Sequence, residues 1–294
     1  MPRITPERMS AVLGAAPKPG PIWQKQFDGM NETLRKAAIC DWQDIQTADL
    51  WEYTLDMAYQ DLQPDLFRHV FPACLKFWYD TLMANQSAEV GDSDLHRSLI
   101  RGNILARMLN EAERQRLLGF FVEGMLDRMD LERGFERGAG SASAWISRFN
   151  SLGLVAPDIP ALWTNWWSMK TPGSAICAVQ YASGLIYCRG ENPLYPARTP
   201  MEDGAGPSMT EWDAQVFDSV WLDANLAFLR AILSPAYLVE RMALAATVLA
   251  GTPEARIVES LAQDARDRGD ILHIRVEDML ENLARPKLEQ DPWD

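Results

Sequence analysis

The sequence predicts a mainly α-helical fold, a multi-helix globular domain with one small β-hairpin near residues 174–189. Apolar side chains recur at i, i+3 and i+4 through most of the chain, which is the spacing of an amphipathic helix. Ser, Thr, Asn and Pro stand where these stretches begin, as caps and first residues of helices do. With 47% hydrophobic and 23% charged residues among 294, the composition is that of a globular protein.

The first predicted helices are separated by a proline-rich connector. A short helix starts at Thr5 and ends before residues 17–21, where three prolines prevent a helix. Helical spacing resumes over residues 28–39. Thr47 is then the N-cap of a further amphipathic stretch, residues 50–62.

Two more helices follow in the first half of the chain. Pro64 opens the first, as proline often does at the first position of a helix. We expect this helix to kink or restart at Pro72, because proline removes one backbone donor and clashes with the preceding turn. Asn110 caps the second helix, and Glu111 and Glu113 stand in its first turn, where the helix dipole favours anions.

The predicted hairpin rests on two short runs, residues 175–181 and 185–188. Both are rich in β-branched and aromatic residues, and a link that ends in Gly184 joins them. Residues 194–209 are rich in proline and glycine and are predicted to form a long loop. This loop either covers a cleft or only connects two elements.

The last third returns to helical spacing. An amphipathic helix is predicted over residues 210–229. Ser234 and Thr252 are each followed by proline, the signature of an N-cap and first helical residue, so a helix is predicted after each. Residues 271–276 are compatible with an edge strand or with a further helix.

The chain divides most naturally at its most flexible sequence, residues 138–143, which contain only Gly, Ala and Ser. We therefore predict an N-terminal helical subdomain over 1–137, a C-terminal subdomain with the hairpin over 144–285, and a flexible tail over 286–294. A chain of 294 residues is also compatible with one continuous domain.

The net charge of −13 is concentrated in the last third. Residues 201–294 hold eighteen acidic and eight basic side chains. Such a surface repels phosphate backbones and anionic lipids, so we expect neither a nucleic acid nor a membrane as partner. It is compatible with a basic protein partner or simply with a solvated acidic face.

The cysteines and the hydropathy predict a protein of the cytoplasm. Cys40, Cys74, Cys177 and Cys188 form no CxxC pair and have apolar neighbours, as buried free thiols do in a reducing compartment. The N-terminus has no apolar signal region, and no run of about 18 apolar residues is long enough to span a bilayer.

No catalytic or cofactor motif is found. The P-loop, GxGxxG, HExxH, GxSxG and paired CxxC patterns are all missing from the sequence, so we predict no catalytic residues, no cofactor and no metal. The three histidines each have a carboxylate four positions away, which is one helical face. A metal site built from such pairs is the alternative to ordinary ion pairs and caps: Asp65–His69, Asp92–His96 and His273–Glu277.

Three tryptophans lie close together at 163, 166 and 167. Residues three or four positions apart share a helical face, so part of the group must pack inward. Core packing is the favoured interpretation. A contact with a partner or ligand is the alternative, because Trp is common at binding hot spots.

Two segments resemble small uncharacterised helical proteins of bacteria, some of which are encoded near toxin genes. The first is residues 61–75, with the order acid, apolar, Pro-Asp, Phe-Arg and then Phe-Pro-Ala-Cys-Leu. The second is residues 109–114, a helix start. The resemblance implies an immunity-like role and carries over no individual functional residue.

The leading hypothesis is therefore a protein that neutralises a cognate bacterial toxin by occlusion, with a basic protein as partner. The alternatives are an enzyme with a dispersed carboxylate and histidine site, with or without a metal, and a helical scaffold or regulatory binding protein. The predicted partner-binding residues combine acidic side chains with two tryptophans: Glu202, Asp203, Glu211, Trp212, Asp213, Asp218, Trp221 and Asp223.

Overall fold

The computed structural model describes residues 3–14, 16, 18–24, 31–46, 50–84, 94–135, 141–156, 159–187, 192–194 and 221–284. Within these ranges every regular element is helical, and no strand is present. The mainly helical prediction is confirmed. These residues form two compact units, the N-terminal unit within residues 3–128 and the C-terminal unit within residues 129–284.

The N-terminal unit contains the following α-helices, with a 3₁₀ helix at Trp42–Asp44: α1 (Pro6–Ala11), α2 (Asn31–Ile39), α3 (Trp51–Asp56), α4 (Pro64–Ala84), α5 (Asp94–Arg101), α6 (Ile104–Met108) and α7 (Glu111–Asp130), whose last two residues belong to the C-terminal unit. The C-terminal unit contains the others: α8 (Ser141–Val155), α9 (Ile159–Trp167), α10 (Pro172–Ile186), α11 (Asp223–Ile232), α12 (Pro235–Val248), α13 (Glu254–Asp267) and α14 (Gly269–Ala284).

Local capping explains several of these helix starts. Asn110 and Glu113 cap α7 reciprocally: the Glu113 backbone N–H donates to Asn110 Oδ1 at 3.0 Å, and the Asn110 N–H donates to Glu113 Oε2 at 2.9 Å. Ser234 caps α12 by accepting the Tyr237 N–H at 3.2 Å, and Pro235 follows as the first helical residue. Both starts were predicted from sequence and are confirmed.

The predicted β-hairpin near 174–189 is wrong, because its core forms α10. Thr171 caps this helix: its Oγ1 accepts the Ser174 N–H at 3.2 Å, and its own N–H donates to Ser174 Oγ at 3.1 Å. The Ala-Ser-Gly stretch at 182–184, interpreted as a turn, lies inside the helix. Every residue from Gly173 to Ile186 is buried, and a helix that is apolar on all sides is stable when it is enclosed.

Two other expectations are settled by the helix bounds. We predicted a kink or restart at Pro72, and α4 does not restart there but continues for 21 residues with this proline inside it. Residues 271–276 belong to α14, so the helical alternative is the correct one. The division between the two units falls at residues 128–129.

Several predicted segments lie outside the described residues. They are the linker residues 136–140, residues 188–189 of the hairpin, most of the 194–209 loop, the helix start at 210–220 and the tail at 286–294.

Each unit has an aromatic core. In the N-terminal unit, Trp78 of α4 packs edge-on against Phe121 of α7, with ring centroids 4.9 Å apart. In the C-terminal unit, Trp163 and Trp167 of α9 are stacked at 4.6 Å, and Tyr181 of α10 meets Trp163 edge-on at 5.6 Å. Such aromatic pairs contribute about 0.5–1.5 kcal/mol each beyond the burial of their area.

In the part of the chain that the structure describes, no single helix is long and apolar enough to cross a membrane. The pair α11 and α12 meets the length and composition criteria together, but it is bent by 73° at its break.

Candidate functional site

An open cleft of about 670 Å³ lies in the N-terminal unit. It is formed by residues around Trp23, by the turn after α3, and by the junction of α5 and α6. Two aromatic side chains and two guanidinium groups dominate its lining: Trp23, Tyr59, Arg101 and Arg107. A surface concavity with this composition is the strongest candidate for a binding site among the described residues.

Hydrogen bonds hold the backbone of Trp23 in place, while its side chain is exposed to solvent. The carbonyl oxygen of the Gln63 side chain accepts the Trp23 N–H at 2.9 Å and the Gln24 N–H at 3.4 Å. In return the Gln24 side-chain oxygen accepts the Gln63 N–H at 2.9 Å. The Trp23 side chain is nevertheless 58% exposed, so an ordered backbone presents a large apolar group to solvent.

The segment before Trp23 is anchored to the start of α4 in the same way. Pro19 and Pro21 have a fixed φ and no backbone donor, which favours an extended chain here. Asp65 Oδ2 accepts the Gly20 N–H at 2.8 Å, and this bond holds the pKa of the Asp65 carboxyl below its ordinary value. The Gln63 amide also donates to Pro21 O at 3.3 Å.

The α5–α6 junction closely approaches the end of α3, next to residues that line the cleft. A side chain on Gly102 would place its Cβ 2.4 Å from the Met57 carbonyl oxygen, so only glycine fits there. Asn103 follows with φ of 50° and ψ of 35°, the left-handed region that Asn tolerates better than most residues. Arg101 precedes this tight turn and Arg107 follows it, and both line the cleft.

The two arginines are oriented by different neighbours. The Arg101 guanidinium lies over the Tyr59 ring, 5.2 Å from its centroid, and donates a hydrogen bond to the Tyr59 hydroxyl. Arg107 donates to the Gly102 carbonyl oxygen at 3.2 Å and to Asp61 Oδ1 at 3.3 Å. The described lining of the cleft thus combines two guanidinium groups with aromatic surface.

A smaller cavity of about 350 Å³ also lies in the N-terminal unit, between α1, α4 and the 3₁₀ helix. His69 lines it, and its Nε2 lies 3.0 Å from Ala37 O and 3.1 Å from Cys40 O. Both neighbours are carbonyl acceptors, so Nε2 carries the proton. Its predicted partner Asp65 instead accepts the Gly20 amide, as described above.

His96 is enclosed by aromatic rings. Its ring centroid lies 4.5 Å from that of Phe121 and 5.7 Å from that of Trp78. Burial lowers the pKa of His96 to about 3, because the imidazolium is poorly solvated there. Its predicted partner Asp92 lies outside the described residues.

This burial makes stability depend on pH. The unfolded chain takes up a proton on His96 near pH 6.5 and the folded chain only near pH 3, so stability falls as the pH falls through that window. We expect His96→Leu to reduce the slope by about 1.4 kcal/mol per pH unit between pH 6 and 4. Urea unfolding at pH 7, 5.5 and 4.5 measures it. The exposed His273, changed to Leu, is the control, and equal slopes in the two variants would contradict the assignment.

The third histidine, His273, is exposed on α14. Its predicted partner Glu277 instead accepts hydrogen bonds from Arg230, whose Nε lies 3.2 Å from both Oε1 and Oε2. Across the described ranges, no three His, Cys, Asp or Glu side chains are grouped so that they could hold a metal ion.

The predicted partner-binding residues are mostly beyond the described part of the chain. Trp221 is buried, 2% exposed, and its indole Nε1 donates to Asn150 O at 3.0 Å, so in this structure it is a core residue. Asp223 is exposed in the first turn of α11. The remaining six lie outside the described residues: Glu202, Asp203, Glu211, Trp212, Asp213 and Asp218.

Two predictions about burial can be judged. Trp163, Trp166 and Trp167 are all buried, so the core interpretation of this group is confirmed. Cys74 and Cys177 are buried free thiols, as predicted, whereas Cys40 is only partly buried.

Sequence reasoning missed the cleft itself. The stiff 17–21 connector was recognised, but its consequence for Trp23 was not, because the anchoring residue Gln63 lies 40 positions away. Tyr59 and Arg101 are 42 positions apart. The Gly102–Asn103 turn was the only local signal that could have pointed to this site.

No family model, no curated protein and no solved structure matches the chain.

Proposed function

We propose that this chain is a protein-binding protein and that the cleft at Trp23 receives part of its partner. The observation that carries the proposal is the Trp23 side chain, 58% exposed on a backbone that two glutamine side chains hold. An apolar group of this size in solvent gains free energy when a partner covers it. The ordered backbone reduces the entropy lost on binding.

The composition of the cleft supports a protein partner. Trp, Tyr and Arg are the residue types that most often dominate the binding energy of protein interfaces. Among the described residues, one Trp, one Tyr and two Arg line this single concavity. Enclosed pockets that bury most of a small ligand have a different form, because they surround the ligand and are mainly apolar.

Affinity capture with matched variants tests the proposal. We expect the wild-type chain to retain a partner protein at equal stoichiometry and Trp23→Ala to weaken that binding ~30-fold or more, since truncation of a hot-spot Trp costs about 2 kcal/mol or more. Trp51→Ala is the control, because Trp51 is also exposed, 43%, but does not line the cleft. Equal loss in both variants, or no loss in either, would reject the cleft as the binding site.

A second candidate is the inhibitor of a basic bacterial toxin suggested by the sequence. Residues 201–220 contain five carboxylates and no Lys or Arg, and the exposed Asp223 follows them. A basic partner would be steered to such a segment. The resemblance to proteins encoded near toxin genes also supports this candidate. If this second candidate is correct, the Trp23→Ala variant binds the partner normally in the same capture experiment. Replacement of the five carboxylates by amides then abolishes binding.

A further inference from the structure

We propose that the smaller cavity of the N-terminal unit, about 350 Å³, binds a small organic amine in its protonated form. The ammonium group is held by hydrogen-bond acceptors at the cavity wall, and the apolar body of the amine packs on Trp42. Among the described residues, this cavity shares no lining residue with the cleft at Trp23. It is thus a second site, independent of the proposed function.

His69 presents an unused acceptor to this cavity. The side chain is only 6% exposed, and its Nε2 donates to the Ala37 and Cys40 carbonyl oxygens at 3.0 and 3.1 Å. In the neutral imidazole the other ring nitrogen, Nδ1, is then a lone-pair acceptor. No described group donates to Nδ1, and this atom is not sealed from solvent. A ligand N–H is therefore the missing partner of a side chain that is otherwise enclosed and fixed.

The proline inside α4 frees a backbone acceptor beside the same cavity. Proline has no N–H, so Pro72 cannot donate to the carbonyl oxygen of Arg68, four residues earlier. Arg68 and Pro72 both line the cavity, so this turn of α4 forms part of its wall. A carbonyl that loses its intrahelical donor is satisfied by a side chain, by water or by a ligand.

Glu7 supplies the negative charge of the cavity. Hydrogen bonds from its own backbone N–H and from the Thr5 hydroxyl hold the pKa of the Glu7 carboxyl below its ordinary value, so it is ionised at neutral pH. Arg68 is the cationic side chain of the described lining, and it binds Glu113 through both Nη atoms, at 2.7 and 3.2 Å. This bidentate pair neutralises Arg68, whereas no described cation pairs with Glu7.

Ser10 and Trp42 complete the described polar and aromatic lining. The Ser10 hydroxyl donates to the Pro6 and Glu7 carbonyl oxygens, at 3.2 and 3.1 Å, so the lone pairs of its own oxygen remain available. The half-buried Trp42 adds an aromatic ring, whose face attracts cations. The unpaired groups at this cavity are therefore acceptors and an aromatic ring.

A primary ammonium group fits this set better than a metal ion or an anion does. It carries three N–H donors and no acceptor. Across the described ranges, no three His, Cys, Asp or Glu side chains are grouped to hold a metal ion. An anion would meet the Glu7 carboxylate and the lone pair of His69 Nδ1. The volume is at the lower end of the range for small-molecule pockets, which limits the amine to one ring or a short chain.

Titrations of the full chain with three matched probes test the chemical class. The probes are phenethylammonium, its neutral isostere 2-phenylethanol, and N,N,N-trimethylphenethylammonium, which keeps the charge but has no N–H donor. Dissociation constants are measured at neutral pH from amide chemical shifts. We expect phenethylammonium to bind ~10-fold more tightly than either isostere, because only it makes charge-assisted hydrogen bonds. The ¹⁵N resonance of His69 Nδ1 should shift with phenethylammonium and stay in place with the trimethyl isostere.

Three substitutions locate the amine. His69→Gln keeps a donor for the two carbonyls but has no acceptor in the place of Nδ1, so binding should weaken ~10-fold. Glu7→Gln should weaken it ~3-fold, since an exposed charge contributes little. Pro72→Ala restores the N–H that Arg68 O lacks and should weaken binding ~5-fold without lowering the urea midpoint. Glu52→Gln is the control, because Glu52 also stands exposed in the first turn of a short helix, outside the cavity.

The outcomes that would overturn the proposal are distinct from those that test the cleft. Trp23→Ala should bind phenethylammonium like the wild type. Equal affinity for an isostere would show that the acceptors play no part. Absence of saturable binding, or unchanged affinity in His69→Gln, Glu7→Gln and Pro72→Ala alike, would also reject the site. If His69→Gln does not fold, the wild-type Nδ1 resonance decides: no shift at saturation contradicts the proposal.

Discussion

Gly153→Ala is expected to destabilise the C-terminal unit by about 3–5 kcal/mol, the range found when a large buried aromatic side chain is lost from a core. A Cβ at position 153 of α8 would lie 2.0 Å from Cζ2 and 2.2 Å from Cε2 of Trp221, so the indole must leave its place. Trp221 would then lose its hydrogen bond to Asn150 O, 3.0 Å, and its edge-on contact with Phe149, 5.5 Å between centroids.

Equilibrium urea unfolding followed by circular dichroism measures this effect. Gly269→Ala is the matched control, because a Cβ there meets Pro235 Cγ at 3.4 Å, an ordinary contact, and should change stability by less than about 1 kcal/mol. In the double variant Gly153→Ala/Trp221→Ala the two costs should not add, since Trp221→Ala removes the indole with which the added methyl group would collide. Additive costs would show that this contact is not the cause.

Asp127→Ala is expected to release the N-terminal segment and to lower stability by about 3 kcal/mol, because it leaves several buried or part-buried donors without the buried carboxylate that accepts them. The carboxylate accepts the Arg3 N–H at 2.8 and 2.9 Å and the Ile4 N–H at 3.1 Å. It also accepts the Tyr79 hydroxyl at 3.1 Å and the Arg3 guanidinium at 2.8 Å. One side chain of α7 therefore holds the chain entering α1.

Hydrogen exchange at the Arg3 and Ile4 amides, together with urea unfolding, measures this release. Asp80→Ala is the control, because Asp80 on α4 pairs with Lys76 while half exposed and should contribute less than about 1 kcal/mol. Continued protection of the Arg3 and Ile4 amides in Asp127→Ala would show that other contacts hold the segment.

Local sequence was sufficient where the signal and its consequence lie within one helical turn. Ser234 before Pro235 and Asn110 before Glu113 predicted helix starts, and the structure contains the corresponding caps. A cap needs only a side-chain acceptor and a backbone donor two or three residues later, so no tertiary contact is required to form it. The close spacing of Trp163, Trp166 and Trp167 likewise predicted a buried group, because one helix face brings them together.

Local sequence gave a wrong prediction where the same residues are compatible with either a buried strand or a buried helix. The apolar run that forms α10 was interpreted as a hairpin, since short apolar runs do not separate a buried strand from a buried helix. The interior of the C-terminal unit encloses this helix on all sides, and only that enclosure favours it. Trp221 was placed on a binding surface because acidic residues surround it in the sequence, whereas Gly153 leaves room for it in the core.

The amino-acid order by itself determined the helical class, the caps and the aromatic burial of this protein. Only the tertiary structure determined the cleft, in which Gln63 holds Trp23 across 40 positions and Tyr59 meets Arg101 across 42. Contacts over such separations depend on how whole helices pack, and no pattern within a single turn specifies that packing.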